Sequence, residues 1–161
     1  MGHDELLKSS EFFADTSKEV LATIAAHGET RNLQRGDVLF KEGEKPESMY
    51  IVLSGRVAIA IGNRPLDSRE SMLALMERGD LFGELGLLDG GARSAMARAI
   101  EPSSVLQIPY KIVLEQLESN PSMLWGVTKL LAKRLRTMDE VLSDSVFLDV
   151  TGRTAKRLVE L

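Results

Sequence analysis

The chain is 161 residues long, 43% hydrophobic and 27% charged, which suits one globular domain, or one domain plus a fragment. Its net charge of −4 is uneven: residues 1–120 carry 13 Lys+Arg against 19 Asp+Glu, and residues 121–161 carry 7 against 5, so the body is no polyanion binder on its own. With no cysteine and only His3 and His27 as imidazoles, neither at metal-ligand spacing, no disulfide, cysteine-held cluster, thiol switch or metal site is expected.

No apolar run approaches the ~20 residues of a membrane helix. The start, Met1-Gly2-His3-Asp4-Glu5, lacks the basic and apolar regions of a signal peptide, so the expected compartment is the cytoplasm, with no membrane partner. Residues from Glu5 to Phe13 read as a short helix and turn. Thr16-Ser17-Lys18-Glu19 is a capping-box pattern ahead of Val20, Leu21 and Ile24. It predicts a helix of about ten residues ending near Gly28, with His27 capping or packing at its end.

From Arg31 to Ile108 the period becomes strand-like. Val38-Leu39-Phe40, Met49 to Leu53, Val57 to Ile61, Met72 to Met76, Ala95 to Ile100 and Val105 to Ile108 are short apolar clusters. Turn signals divide them, among them Glu42-Gly43-Glu44, Ser54-Gly55, Gly62-Asn63-Arg64-Pro65 and Arg78-Gly79-Asp80. Many short strands at near-regular spacing predict a β-sandwich or barrel.

Within this stretch lies Gly83-Glu84-Leu85-Gly86-Leu87-Leu88-Asp89-Gly90-Gly91-Ala92-Arg93-Ser94-Ala95. It sets a carboxylate and a guanidinium nine residues apart across a glycine-rich turn. Backbone N–H groups at Gly83 to Gly86 can meet a phosphate where a short helix begins. Arg93 can neutralise that phosphate with a forked pair. Glu84 only accepts, so it suits a sugar hydroxyl. The bland alternative is a surface turn.

After Pro109 the helical period returns, and Asn120-Pro121 is a helix start with Asn as N-cap. Leu124, Leu131 and Met138 repeat by sevens, and Thr128, Leu135 and Leu142 fall four residues after each. The spacing predicts either an amphipathic helix packed on its own strands or, as expected for a helix leaving a β-roll, the seam of a parallel homodimer.

The segment Gly83–Ala95 resembles the phosphate-binding cassette of cyclic-nucleotide-binding domains, above all those of the catabolite-activator/fumarate-nitrate-regulator (CRP/FNR) superfamily of bacterial transcription regulators. Arg35 to Gly43 and Met49 to Gly55 resemble the first strands of the same superfamily's eight-stranded β-roll. The resemblance implies a mainly β fold: a double-wound, jelly-roll-like β-roll with N-terminal helices and a long C-terminal dimerisation helix. It implies that Glu84 holds the ribose 2′-hydroxyl and that Arg93 and Ser94 hold the cyclic phosphate, with Phe82, Gly83, Leu85 and Ala95 around them. In relatives that bind cyclic AMP, a Thr-Ser pair on the long helix reads the adenine, the Ser coming from the partner subunit. Counting back from Phe147-Leu148-Asp149-Val150 places Met138 and Asp139 there. Met138 can cover a purine face; Asp139 can accept from an amino group of adenine or guanine, or is a solvated flank of the seam. Ala74 is expected to be the strand residue facing the base.

Three parts are expected on this basis: a cyclic-nucleotide-binding β-roll with short helices over residues 1–118, the long helix over 119–146, and over 147–161 the hinge and first helix of a truncated winged helix-turn-helix domain. The leading function is effector sensing in a transcription regulator, with cyclic AMP (cAMP) favoured over cyclic GMP (cGMP). DNA and RNA polymerase would be met only through the full-length protein. The alternatives are the same fold without a cyclic-nucleotide effector, and a regulatory module of a kinase or channel. No nucleophile–base pair or Walker-type loop is visible, so an enzyme is not expected.

Overall fold

The computed structural model describes residues 2–61 and 72–154; the expected turn at Gly62-Asn63-Arg64-Pro65 and residues 155–161 lie outside them. Helices α1 (His3–Lys8) and α2 (Lys18–Ala26) are joined by a turn that buries Phe12 and Phe13. The capping pattern starts α2 as expected, one residue later than the box implies. Ser17 is the cap, its hydroxyl accepting from the Val20 N–H at 3.3 Å, while Thr16 is buried. At the other end, His27 Nδ1 lies 2.9 Å from the Thr23 carbonyl oxygen.

Strands β1 (Glu29–Leu33), β2 (Val38–Phe40), β3 (Ser48–Ser54), β4 (Val57–Ala60), β5 (Met72–Met76), β6 (Leu81–Phe82), β7 (Met96–Ala99) and β8 (Ser103–Pro109) follow. They form two four-stranded sheets, ordered β1-β8-β3-β6 and β2-β7-β4-β5, antiparallel throughout. This is the mainly β, eight-stranded roll that the sequence led us to expect.

The run Met49-Tyr50-Ile51-Val52 is buried without a break because β3 has two buried faces. Tyr50 and Val52 point into the roll with Leu33, Phe40, Val57, Phe82 and Val105. Met49 and Ile51 point the other way, to Phe13, Leu21, Ile24 and the C-terminal helices. Strand β8 does the same, with Val105 inward and Leu106 and Ile108 outward. Period-2 alternation thus feeds two cores rather than one core and solvent.

Helix α4 (Tyr110–Ser119) packs Ile112, Val113 and Leu117 into the outer core. Helix α5 (Pro121–Thr154) opens at Pro121, where a fixed φ is favourable. Asn120 holds the cap position expected of it, its carbonyl accepting from the Leu124 N–H at 3.3 Å, but its side-chain amide turns back to donate to the Gln116 carbonyl at 2.8 Å. The backbone of α5 stays helical to Thr154, past the break expected at residue 147.

Helix α5 has two apolar faces. Met123, Val127 and Leu130 are buried against the body. Gly126 allows that approach, since a Cβ there would sit 2.7 Å from Asp15 Cβ. The expected seam residues Leu124, Leu131, Leu135, Met138 and Leu142 lie elsewhere, each at least 40% exposed. Beyond Leu130 the described attachments to the body are polar: Lys133 Nζ to Glu11 at 3.9 Å and Arg134 Nη1 to Glu84 at 3.5 Å. No helix among the described residues is long and apolar enough to cross a membrane.

Candidate functional site

The segment Phe82–Ala95 leaves β6, turns at Gly83, forms the short helix α3 (Leu85–Asp89) and re-enters the sheet at β7. Gly83 has φ +80, a region that costs an L-residue ~1–2 kcal/mol. A Cβ there would also lie 2.9 Å from Arg93 Nη1, so the glycine makes room for the guanidinium as well as the turn. At the far end of α3, Gly90 at φ +71 closes the helix in the left-handed conformation.

The loop folds over one open cavity. Phe82, Gly83, Glu84, Leu85, Arg93, Ser94 and Ala95, all site candidates from the sequence, line it together. Gly86 and Ala92 from the same segment join them, as do Phe40, Pro46, Ile59 and Met76 from the strands and their connections. The lining combines the polar side chains of Glu84, Arg93 and Ser94 with the apolar ones of Phe40, Pro46, Ile59 and Met76. Ala74 pairs with Ile59 across β4 and β5 and so shares the face expected for it, but Ile59 and Met76 form the lining.

Glu84 and Arg93 are each 8% exposed. A guanidinium this far from water costs several kcal/mol unless it is well solvated by the protein. Arg93 Nη1 donates to the Gly83 carbonyl at 2.9 Å and to the Tyr110 hydroxyl at 3.4 Å; Nη2 donates to the Ser48 carbonyl at 2.7 Å. The guanidinium carbon lies 3.9 Å from the centre of the Phe40 ring, a cation–π contact. Phe40 belongs to an aromatic cluster with Tyr50 and Phe82, whose centroids are 5.4–6.2 Å apart. All these hydrogen-bond acceptors are neutral, and among the described residues no carboxylate forms an ion pair with Arg93. Arg93 therefore brings to the cavity wall a positive charge that no carboxylate among the described residues pairs with.

Glu84 precedes the first turn of α3 and takes its cation from α5, through Arg134. Burial raises the Tyr110 phenol above its ordinary value of 10.0, an effect that Arg93 partly offsets. The hydroxyl is therefore a neutral donor at physiological pH, and it donates to the Gly83 carbonyl.

Met138 and Asp139, expected against the base, are exposed on α5 and do not line the cavity. Sequence reading also missed Phe40, Pro46, Ile59 and Met76, which look like ordinary strand and turn residues, and Ser48 and Tyr110, which hold Arg93 from distant positions. Among the described residues no group of three or more His, Cys, Asp or Glu side chains is arranged to hold a metal ion.

The family defined by the cyclic nucleotide-binding domain matches residues 30–120. The CRP-like cAMP-activated global transcriptional regulator of Mycobacterium tuberculosis is 32% identical over 158 residues, which is 98% of this chain and 70% of that protein. The cAMP-activated global transcriptional regulator CRP of Pasteurella multocida is 37% identical over 124 residues, 76% of this chain and 58% of that one. Among solved structures, the catabolite activator protein of Thermus thermophilus is similar with a TM-score of 0.72 and 31% identity, covering 89% of this chain and 66% of that one.

Proposed function

Because the chain belongs to the cyclic nucleotide-binding domain family, within the CRP/FNR superfamily of transcription regulators, we propose that it is the effector-sensing and dimerising part of such a regulator, with cyclic AMP as effector. Members of this kind are regulators and not enzymes. The observation that carries the proposal is Arg93: a buried guanidinium lining the cavity, balanced among the described residues by neutral oxygens and an aromatic face. A cyclic phosphate completes its coordination. Glu84, buried in the same lining, accepts from the ribose hydroxyl, and the apolar end formed by Ile59 and Met76 takes the base.

The exposed seam on α5 supports a parallel homodimer. Two such helices would bury Leu124, Leu131, Leu135, Met138 and Leu142 against each other, an arrangement worth several kcal/mol in lost apolar exposure. Pairing also brings Met138 and Asp139 of both chains to the dimer axis, where they meet the base end of the nucleotide. Ligand contacts that differ between two arrangements of α5 then shift their balance, and the DNA-binding half of the full-length protein reads the outcome, with RNA polymerase as its further partner.

Calorimetric titration with cAMP and cGMP tests this reading. Saturable binding of cAMP, tighter than of cGMP, is expected, and the same titrations on Asp139→Ala read whether that carboxylate accepts from the base. Equal, millimolar binding of both would mean that the pocket reads no base, and cyclic-nucleotide sensing would have to be abandoned.

A further inference from the structure

Tyr110 stands between the ligand loop and the helices. It is the first residue of α4 and is 8% exposed. Its hydroxyl donates to the Gly83 carbonyl and accepts from Arg93 Nη1 at 3.4 Å. Its backbone N–H donates to the Glu47 carbonyl at 2.8 Å, one residue before the Ser48 carbonyl that takes Arg93 Nη2. Tyr110, Gly83, Ser48 and Arg93 therefore form one closed set of hydrogen bonds at the charged end of the cavity.

Donor counting shows what this set does to Arg93. A guanidinium has five N–H donors. Nη1 meets the Gly83 carbonyl and the Tyr110 hydroxyl on one side, through a shared hydrogen, and one Nη2 hydrogen goes to Ser48. Among the donors left, Nε and the Nη2 hydrogen that does not reach Ser48 form the pair that can meet two phosphate oxygens side by side. The geometry points to Tyr110 as the positioning residue of the phosphate end: its hydroxyl locks the guanidinium so that this remaining pair of donors meets the anion without a search. The inference rests on the cyclic-nucleotide reading for its ligand, but the hydrogen bonds of the lock are made within this chain. Without the hydroxyl, Nη1 keeps one acceptor and the Gly83 carbonyl loses a donor. Arg93 then samples more orientations, and ordering it is charged to binding.

The test is Tyr110→Phe, which removes one oxygen and keeps the ring. Nitrogen NMR of arginine-labelled, ligand-free protein reads rotation about the Arg93 Cζ–Nη bonds. Wild type should show separate, slowly exchanging Nη signals, and Tyr110→Phe should show averaged ones. Affinity for cAMP should fall about tenfold. A ring needed only for packing would move neither readout, because the phenylalanine fills the same space. Unchanged Nη exchange, or unchanged cAMP affinity in a variant whose wild type binds, overturns the inference. If wild type binds no cyclic nucleotide, the functional reading fails and the NMR arm alone judges Tyr110. Should the variant not fold, the wild-type Tyr110 hydroxyl proton decides: slow exchange with water supports the lock, and fast exchange overturns it.

Discussion

Arg134, on the flank of α5, sets its Nη1 3.5 Å from the carboxylate of Glu84, in the wall of the cavity. The acid read as the ribose acceptor is thereby oriented by the helix read as the dimer arm. Arg134 is 46% exposed at its side chain, so solvent screens the pair and its worth is at most ~1 kcal/mol. Arg134→Gln should weaken cyclic-nucleotide binding about threefold, and the deficit should shrink at high salt. Calorimetry at two ionic strengths checks this; tighter binding in the variant would mean that Arg134 competes with the ribose instead of orienting its acceptor.

Arg93→Ala removes the phosphate anchor and also takes the Nη2 donor from the Ser48 carbonyl, while the Gly83 carbonyl keeps the Tyr110 hydroxyl. Loss of a charge-assisted pair in a partly dry site costs about 2–4 kcal/mol of binding, so affinity should fall at least about thirtyfold. The stranded Ser48 carbonyl should lower stability by ~1–3 kcal/mol, visible in thermal unfolding. A folded variant that binds as tightly as wild type would remove the cassette argument.

Leu135 is 61% exposed on the seam of α5. Leu135→Asp should leave the chain folded, because its fold does not depend on burying that side chain, while placing an unpaired charge in each half of an apolar seam. Sedimentation at tens of micromolar should give a dimer for wild type and a monomer for the variant. A monomeric wild type would remove the seam reading.

Tyr110 carries a pH dependence whose sign follows from its environment. Burial raises its folded pKa above 10.0, so the folded state holds the phenol proton more tightly than the unfolded chain does. The stability this supplies is complete below pH 10 and drains away as pH rises through the folded value. Denaturant melts should fall more steeply with pH above 10 for wild type than for Tyr110→Phe. Parallel curves would show that this phenol is not the group responsible.

The sequence disclosed those parts of the fold whose signals are local. The clusters at Val38, Met49, Val57, Met72, Ala95 and Val105 became strands because each pairs an apolar period with a nearby turn, and Gly43, Gly55 and Gly79 do adopt positive φ. Strand β1 was hidden because Glu29-Thr30-Arg31-Asn32-Leu33 is an edge strand with only Leu33 buried. Strand β6 was hidden by its two-residue length. The site divides the same way. The run from Phe82 to Ala95 is contiguous, so its chemistry could be read at once. Ser48, Tyr110 and Arg134 reach it only through tertiary packing, and nothing in their own neighbourhoods distinguishes them. The two readings of α5 were posed as rivals, yet the buried Met123, Val127 and Leu130 and the exposed heptad residues occupy different sides of one helix.

The last described attachment of α5 to the body is at Arg134, yet its backbone runs on as helix to Thr154. At 1.5 Å per residue the stretch from Arg134 to Thr154 is about 30 Å long. If α5 carries the signal as proposed, a rod of this kind is a mechanical amplifier. A tilt of about 5° at its root, of the order that a sub-ångström adjustment beside Glu84 produces, swings its tip by about 3 Å, close to the spacing of successive base pairs along a duplex. The sensing pocket need not deform visibly for the far end to change its aim.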